Sequence, residues 1–350
     1  MKKVYVGMSG GVDSSVAALL LKEKGYDVTG FTFDVWKNVS QSGIESAKNV
    51  CRKLDIKHET VDLKSLFKEK VVDRFIKEYE TGRTPNPCIL CNKYIKFGAM
   101  LEYIKDKADY IATGHYASVV YDEKSGRYHF EKSADDKKDQ TYMFHALTQE
   151  QISKIIMPLG GYKKEEVRKI AAENGFDCAS SADSQDICFL ERESLEEFFW
   201  ENAPHILKSG NIVNKKGEIL GRHSGCAKYT IGQRRGLGVA SDGKIYVVEI
   251  DGKTNTVVLD EEKYIFSDTL IACDVNFHTL EKFSSPIRVQ AKIRYAAKPA
   301  DCTVYPEKDG CAKLVFDIPQ RAVTPGQSVV FYDGNVLVGG GIIEKAVFDE

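Results

Sequence analysis

Short apolar runs alternate with amphipathic stretches of helical period over the first two-thirds of the chain, which predicts an α/β domain built on a parallel sheet. A Gly-rich turn directly after the first apolar run predicts that this domain carries an anion-binding loop. After Pro204 the helix formers thin out and short Val/Ile/Tyr/Thr runs appear between Gly-containing turns, so the rest reads as β structure. The 350 residues suit two or three domains at roughly 150 residues each.

Lys3–Met8 is the first strand, and a helix follows from about Ser14 to Lys24, with Val16, Leu19 and Leu20 on one side and Gly25 as its stop. Asp27–Phe33 is a strand, Ile44–Leu54 a helix and His58–Asp62 a strand. Lys64–Tyr79 and Lys93–Lys105 are helical, and Tyr110–Thr113 is a strand ending at Gly114. Gln149–Met157, Lys163–Asn174 and Ser194–Glu201 add helices. Three Asp-Gly dipeptides, at Asp251-Gly252, Asp309-Gly310 and Asp333-Gly334, lie between alternating runs and signal hairpins. Residues 1–204 therefore form the α/β domain, 205–266 a small central β-rich domain and 267–350 a β-barrel.

Composition fixes the broad class. With 43% hydrophobic and 29% charged residues, including 17 Tyr and 17 Phe, the chain can bury a core and is not mainly disordered. No apolar run nears the roughly 18–20 residues that span a bilayer. The polar turn Ser9–Ser14 stands where a signal peptide would need its apolar region. A cytoplasmic protein with no membrane partner is expected.

The net charge of -2 conceals an imbalance. From His205 to Ala240, Lys208, Lys215, Lys216, Arg222, Lys228, Arg234 and Arg235 stand against Glu218 alone, a local +6. Lys282, Arg288, Lys292, Arg294 and Lys298 stand against Glu281, a local +4. A charge run is usually a solvated face, yet these two suit a partner bearing phosphates. The nine cysteines are odd in number and follow no secretory signal, which argues against a structural disulfide framework. Cys88 and Cys91 form Cys-x-x-Cys, while Cys51, Cys178, Cys226, Cys273, Cys302 and Cys311 read as small buried hydrophobes.

Ser9-Gly10-Gly11-Val12-Asp13-Ser14-Ser15 joins a strand to a helix, where glycines let amides approach phosphate and the helix N-terminus attracts an anion. It matches neither a Walker loop nor Gly-x-Gly-x-x-Gly. It resembles the pyrophosphatase loop (PP-loop) of adenylating, adenine nucleotide alpha hydrolase-like enzymes. More specific are Thr81–Phe97 with its Pro85-Asn86-Pro87-Cys88-Ile89-Leu90-Cys91, Ala112–Tyr116, Lys138–Tyr142, Asp183–Phe189 and Thr230–Gly238. In this order, over essentially the whole chain, they resemble the bacterial tRNA-specific 2-thiouridylase family.

That resemblance implies an ATP- and Mg²⁺-dependent enzyme that adenylates the wobble uridine of tRNA at its C2 oxygen and replaces that oxygen with sulfur. It implies tRNA and a cysteine desulfurase or sulfur carrier as partners, and no DNA. Gly7, Met8, Ser9, Gly10, Gly11, Val12, Asp13 and Ser14 would hold ATP, with Phe33 and Gly114 beside it. Asp13 joins Cys91 and Cys188 among the catalytic residues: Cys188 carries the persulfide, and Cys91 is its partner, able to close a disulfide with it. Asn86, Pro87 and Cys88 line the target base. His115, Lys138, Asp139, Gln140, Arg294, Tyr295 and Gln327 meet the tRNA. Many relatives have aspartate at the position of Cys88, and the loop between Trp36 and Ile44 is shorter than is usual for the family. Three cysteines leave two further readings open, a 4Fe–4S cluster on Cys88, Cys91 and Cys188, and a zinc site; an amide-forming ligase with the same loop and a catalytically silent RNA-binding protein are the alternatives to thiolation.

Overall fold

The computed structural model describes residues 1–36, 41–180, 187–190, 193–241 and 243–348; most of the short loop after Trp36 and Asp183–Asp186 of the Cys188 segment lie outside them. The chain opens with β1 (Lys3–Gly7), α1 (Val12–Glu23), β2 (Asp27–Asp34), α2 (Gln41–Lys53) and β3 (Lys57–Asp62). Two long helical segments follow, α3 at 64–80 and α4 at 87–104, each widened by π-helical turns at Lys68–Val72 and Cys91–Ala99. After β4 (Tyr110–Thr113) the chain makes a hairpin of β5 (Ser118–Asp122) and β6 (Arg127–Glu131). It then forms α5 (Gln149–Ile152) and β7 (Ile155–Ile156), and continues into α6 (Lys164–Glu173) and α7 (Leu195–Asn202).

Five parallel strands lie in the order β3-β2-β1-β4-β7. The order reverses between β1 and β4, so the crevice beyond their carboxyl ends is the natural ligand site of this sheet. Helix α1 is buried at Val12 and throughout Ser14–Leu21, well beyond the one apolar side expected, because it lies between the sheet and α6. The helix expected over Gln149–Met157 stops at Ile152 instead. Ile155 and Ile156 pair with Ile111 and Ala112 as a sheet strand, since a short apolar run fits either period and the open sheet edge decides it.

The central part holds β8 (Gly210–Val213), β9 (Ile219–His223), β10 (Ile245–Asp251) and β11 (Thr256–Glu261), ordered β10-β11-β8-β9. The barrel comprises β12 (Phe266–Phe277), β13 (Ile287–Lys292), β14 (Ala300–Pro306), β15 (Ala312–Arg321), β16 (Ser328–Asp333) and β17 (Val336–Val347). Strand β12 pairs with both β15 and β17, which closes the six strands and removes their free edges. All three Asp-Gly dipeptides sit at hairpin turns, between β10 and β11, β14 and β15, and β16 and β17.

Two further features depart from the sequence expectation. The β5–β6 hairpin of the first domain adds to the barrel sheet, with Glu131 opposite Val336 and Phe130 opposite Leu337. One apolar cluster therefore runs from Phe31 and Ile111 of the parallel sheet through Phe130 and Phe144 to Val330 and Leu337 of the barrel. The second correction concerns Cys273 and Cys311, which form a disulfide rather than standing as isolated buried thiols. The turn between β14 and β15 carries Cys311 to the side of β12, an approach that strand pairing alone creates.

Candidate active site

The loop after β1 is shaped by its own small side chains. Ser14 Oγ donates to the Gly11 carbonyl at 3.1 Å and accepts from the Ser9 amide at 3.2 Å, while Ser15 Oγ donates to the Gly11 carbonyl at 2.9 Å. Gly10 has φ +79°, and a Cβ there would lie 2.7 Å from the Gly43 carbonyl oxygen, so the turn against α2 requires glycine. Gly11 caps α1 with no side-chain hydrogen bond, leaving the first-turn amides and the positive end of a 12-residue helix at the loop. Gly7 ends β1, Met8 donates to Phe31 through its amide at 2.7 Å, and Val12 is buried. Phe33, at the end of β2, packs edge-on against Phe31 at 4.8 Å between ring centroids.

Asp13 is the charged member of this loop, and its environment could not be read from the motif. Both its carboxylate oxygens accept from Lys164 Nζ at 2.8 Å, and Oδ1 also accepts from the Tyr116 hydroxyl at 2.7 Å. Lys164 opens α6 and is 8% exposed, so this cation is held inside the molecule by the loop carboxylate. Gly114 touches the other side of the loop. A Cβ there would stand 2.5 Å from the Ser14 amide nitrogen and 2.6 Å from the Asp13 carbonyl carbon. The glycine cradle and open helix end suit the phosphates of ATP.

The cysteines approach from α4. Asn86 caps this helix by accepting from the Cys88 amide at 3.1 Å, Pro87 occupies the first helical position, and Cys91 opens the π-helical stretch. Burial pushes the Cys91 thiol up to about 12, and the nearby Cys188 and Cys88 sulfurs act in the same direction. Burial also raises Cys88 and Cys188, although Cys188 keeps open surface. The Lys96 ammonium opposes the rise at all three thiols. Phe189 anchors the Cys188 turn in an aromatic cluster with Phe67, Phe75 and Phe198. Among the described residues, no group of three or more His, Cys, Asp or Glu side chains is arranged to hold a metal ion. The iron–sulfur reading therefore has no support among the described residues.

His115 lies between the two centres. Its Nδ1 shares a 2.7 Å hydrogen bond with Thr113 Oγ1, and its Nε2 lies 3.4 Å from Lys96 Nζ. Burial, then the Lys96 charge, holds its pKa well below the usual imidazole value, so the ring is neutral. Gln140 accepts from the Tyr116 amide through Oε1 at 2.9 Å. Asp139 accepts from Thr141 Oγ1 at 2.8 Å, and its carbonyl accepts from the Tyr295 hydroxyl at 3.1 Å. Lys138–Gln140 and Arg294-Tyr295, far apart in sequence, thus share one surface where Lys292 also lies over the Tyr295 ring. Gln327 is turned to the cysteine segment and donates to the Thr84 carbonyl at 2.7 Å. Sequence reasoning missed the roles of Lys164, Tyr116 and Lys96. The last two sit inside quoted motifs, but nothing near residue 164 signals a loop partner.

Three family descriptions match the chain, "tRNA methyl transferase HUP domain" over residues 2–192, "tRNA methyl transferase PRC-barrel domain" over 201–260 and "Aminomethyltransferase beta-barrel domain" over 267–343. The chain is 49% identical to the tRNA-specific 2-thiouridylase MnmA of Acetivibrio thermocellus, covering 98% of this chain and 99% of that protein. It is 48% identical to the protein of the same name from Clostridium botulinum (strain Alaska E43 / Type E3), with 99% of each covered. A solved structure, a predicted subunit of tRNA methyltransferase from Methanocaldococcus jannaschii, is 23% identical over 49% of this chain and 76% of its own, with a TM-score of 0.33.

Proposed function

The chain belongs to the tRNA-specific 2-thiouridylase family, and from that premise we propose how its residues divide the work of a tRNA uridine 2-sulfurtransferase. ATP binds with its phosphates on the Gly7–Ser14 loop, where amides and the α1 terminus offset charge and a Mg²⁺ ion on the phosphates would supply the remaining countercharge. The uridine C2 oxygen attacks the α-phosphorus, pyrophosphate leaves and N3 gives up its proton. The terminal sulfur of a Cys188 persulfide adds to C2, and AMP departs with the former oxygen. The Cys91 thiolate then attacks the Cys188 sulfur and closes the disulfide. The electron pair of the broken S–S bond stays on the sulfur bound to C2, and N3 regains a proton. A thiol reductant reopens the disulfide, and a cysteine desulfurase or carrier reloads Cys188. No step runs through an iron–sulfur cluster.

One observation carries this reading. Gly114 packs on Ser14 and Asp13 of the loop, and the next residue, His115, contacts Lys96 on the helix bearing Cys91. Two consecutive residues thus link the adenylating loop to the sulfur chemistry. The +6 and +4 stretches, with His115, Lys138–Gln140, Arg294, Tyr295 and Gln327, form the tRNA-facing side, and residues 1–204, 205–266 and 267–350 act as adenylation, central tRNA-binding and barrel domains. The protein works in the cytoplasm, where tRNA is found.

The test is nucleoside mass spectrometry after incubation with unmodified tRNA, ATP, Mg²⁺ and a cysteine desulfurase with cysteine. The wild type should form 2-thiouridine and AMP together, and Cys188→Ala should form none. A methylated uridine, AMP without thiouridine, or full product from Cys188→Ala would each reject this assignment.

A further inference from the structure

Residues 81–86, between α3 and α4, are held by every part of the molecule. Gly82 has φ +79°, and a Cβ there would lie 2.6 Å from the Ile250 carbonyl oxygen in the central sheet. Across the same contact, a Cβ on Gly252 would run into the Glu80 and Thr81 backbone, and His205 Nε2 lies 2.6 Å from Glu80 Oε1. The barrel holds the next two residues. The Thr84 amide donates to the Pro325 carbonyl at 2.9 Å, and the Thr84 carbonyl accepts from Gln327 Nε2 at 2.7 Å. Gly326, at φ +89°, passes so close that a Cβ would lie 3.0 Å from the Thr84 nitrogen.

Arg83 is the side chain at this junction. Its Nε donates to Glu78 Oε2 at 2.7 Å within α3, its Nη1 to Glu344 Oε2 at 2.6 Å on β17, and its Nη2 to the Ile343 carbonyl at 3.3 Å. The planar fork fixes direction as well as distance, and a lysine could not reproduce it. Three residues on, Asn86 caps the helix that presents Cys88 and Cys91.

We propose that Arg83 is a positioning residue that registers the cysteine-bearing helix against the tRNA-holding barrel. Its guanidinium is engaged by Glu78, Glu344 and the Ile343 carbonyl, which joins the end of α3 to β17 and holds the start of α4 against the barrel. The inference rests on the proposed roles of Cys91 and the barrel. A misplacement of about 1 Å can cost about 100-fold in rate while binding is retained, so the signature is a fall in kcat at constant KM.

Steady-state thiolation of unmodified tRNA, with ATP, Mg²⁺ and desulfurase-delivered sulfur, tests this. Arg83→Met should lower kcat about 10- to 100-fold, with KM for tRNA and ATP within about twofold of wild type. Arg83→Lys should recover part of the loss. Glu344→Gln, on a half-exposed side chain, should lower kcat by about threefold, and the Arg83→Met/Glu344→Gln double variant should be no slower than Arg83→Met alone. Unchanged kcat, a loss appearing in KM, or additive effects would overturn the proposal. If Arg83→Met does not fold, an unchanged kcat in Glu344→Gln overturns it alone. Cys91→Ser in the same assay keeps the two readings apart, because activity in that variant removes the cysteine assignment whatever Arg83 does.

Discussion

Lys164 shows what a single residue contributes that no motif announces. Its ammonium bonds both oxygens of Asp13 from inside the protein, and the Tyr116 hydroxyl completes the carboxylate's surroundings. Removing the lysine of this partly buried ion pair leaves the Asp13 carboxylate with the Tyr116 hydroxyl but without its cation, and that charge belongs to the phosphate loop. Lys164→Met should therefore slow tRNA-dependent AMP formation from ATP by about tenfold or more, with Lys164→Arg intermediate. Wild-type AMP formation in Lys164→Met would remove the residue from the site. The loop glycines, by contrast, were legible. Gly10 needs a positive φ beside Gly43, and the need for Gly at 114 follows from its contact with Ser14, though only the fold reveals that contact.

Among the elements, the first four strands of the parallel sheet follow from the sequence runs, and the barrel hairpins at Asp309-Gly310 and Asp333-Gly334 from their turns. The β5–β6 hairpin and the β7 strand did not, since their signals are short and their partners distant. The Cys273–Cys311 bridge belongs to the same class, since 38 residues of chain separate two cysteines that strand pairing makes neighbours. Closing a loop of that size restricts the unfolded chain by about 4 kcal/mol in the entropic picture. Cys311→Ser should unfold at lower urea than the oxidised wild type, and the difference should vanish in excess dithiothreitol. Equal midpoints in oxidising buffer would show that the bridge contributes nothing.

At the scale of the whole molecule, the first domain and the barrel are one packed body, and two buried histidines sit where they meet. His145 Nε2 shares a hydrogen bond with Ser328 Oγ at 2.9 Å, whereas the buried His278 ring has the His145 and Leu147 backbone beside it and, among the described residues, no hydrogen bond of good geometry. Burial pulls both imidazoles down to about 3. The unfolded chain, with ordinary histidines near 6.5, then binds more protons than the folded one between pH 6.5 and 3. Stability is complete above pH 6.5 and is lost as pH falls through that window, by roughly 2 kcal/mol per histidine at pH 5. The urea midpoint should drop between pH 7.5 and pH 5, and His278→Leu should remove only its own part of that drop, because the buried His115 and His145 contribute as well; a midpoint independent of pH would contradict this. The sequence alone determined the α/β-then-β order, the phosphate loop and the cysteine segment, because these depend on local period, turn chemistry and contiguous motifs. Tertiary structure decided which side chains meet: Lys164 with Asp13, His115 with Lys96, Tyr295 with Asp139 and Arg83 with Glu344. Those pairs are separated by 19 to 261 residues. Sheet order, barrel closure and domain packing bring them together, and none of the three is a property of a local window.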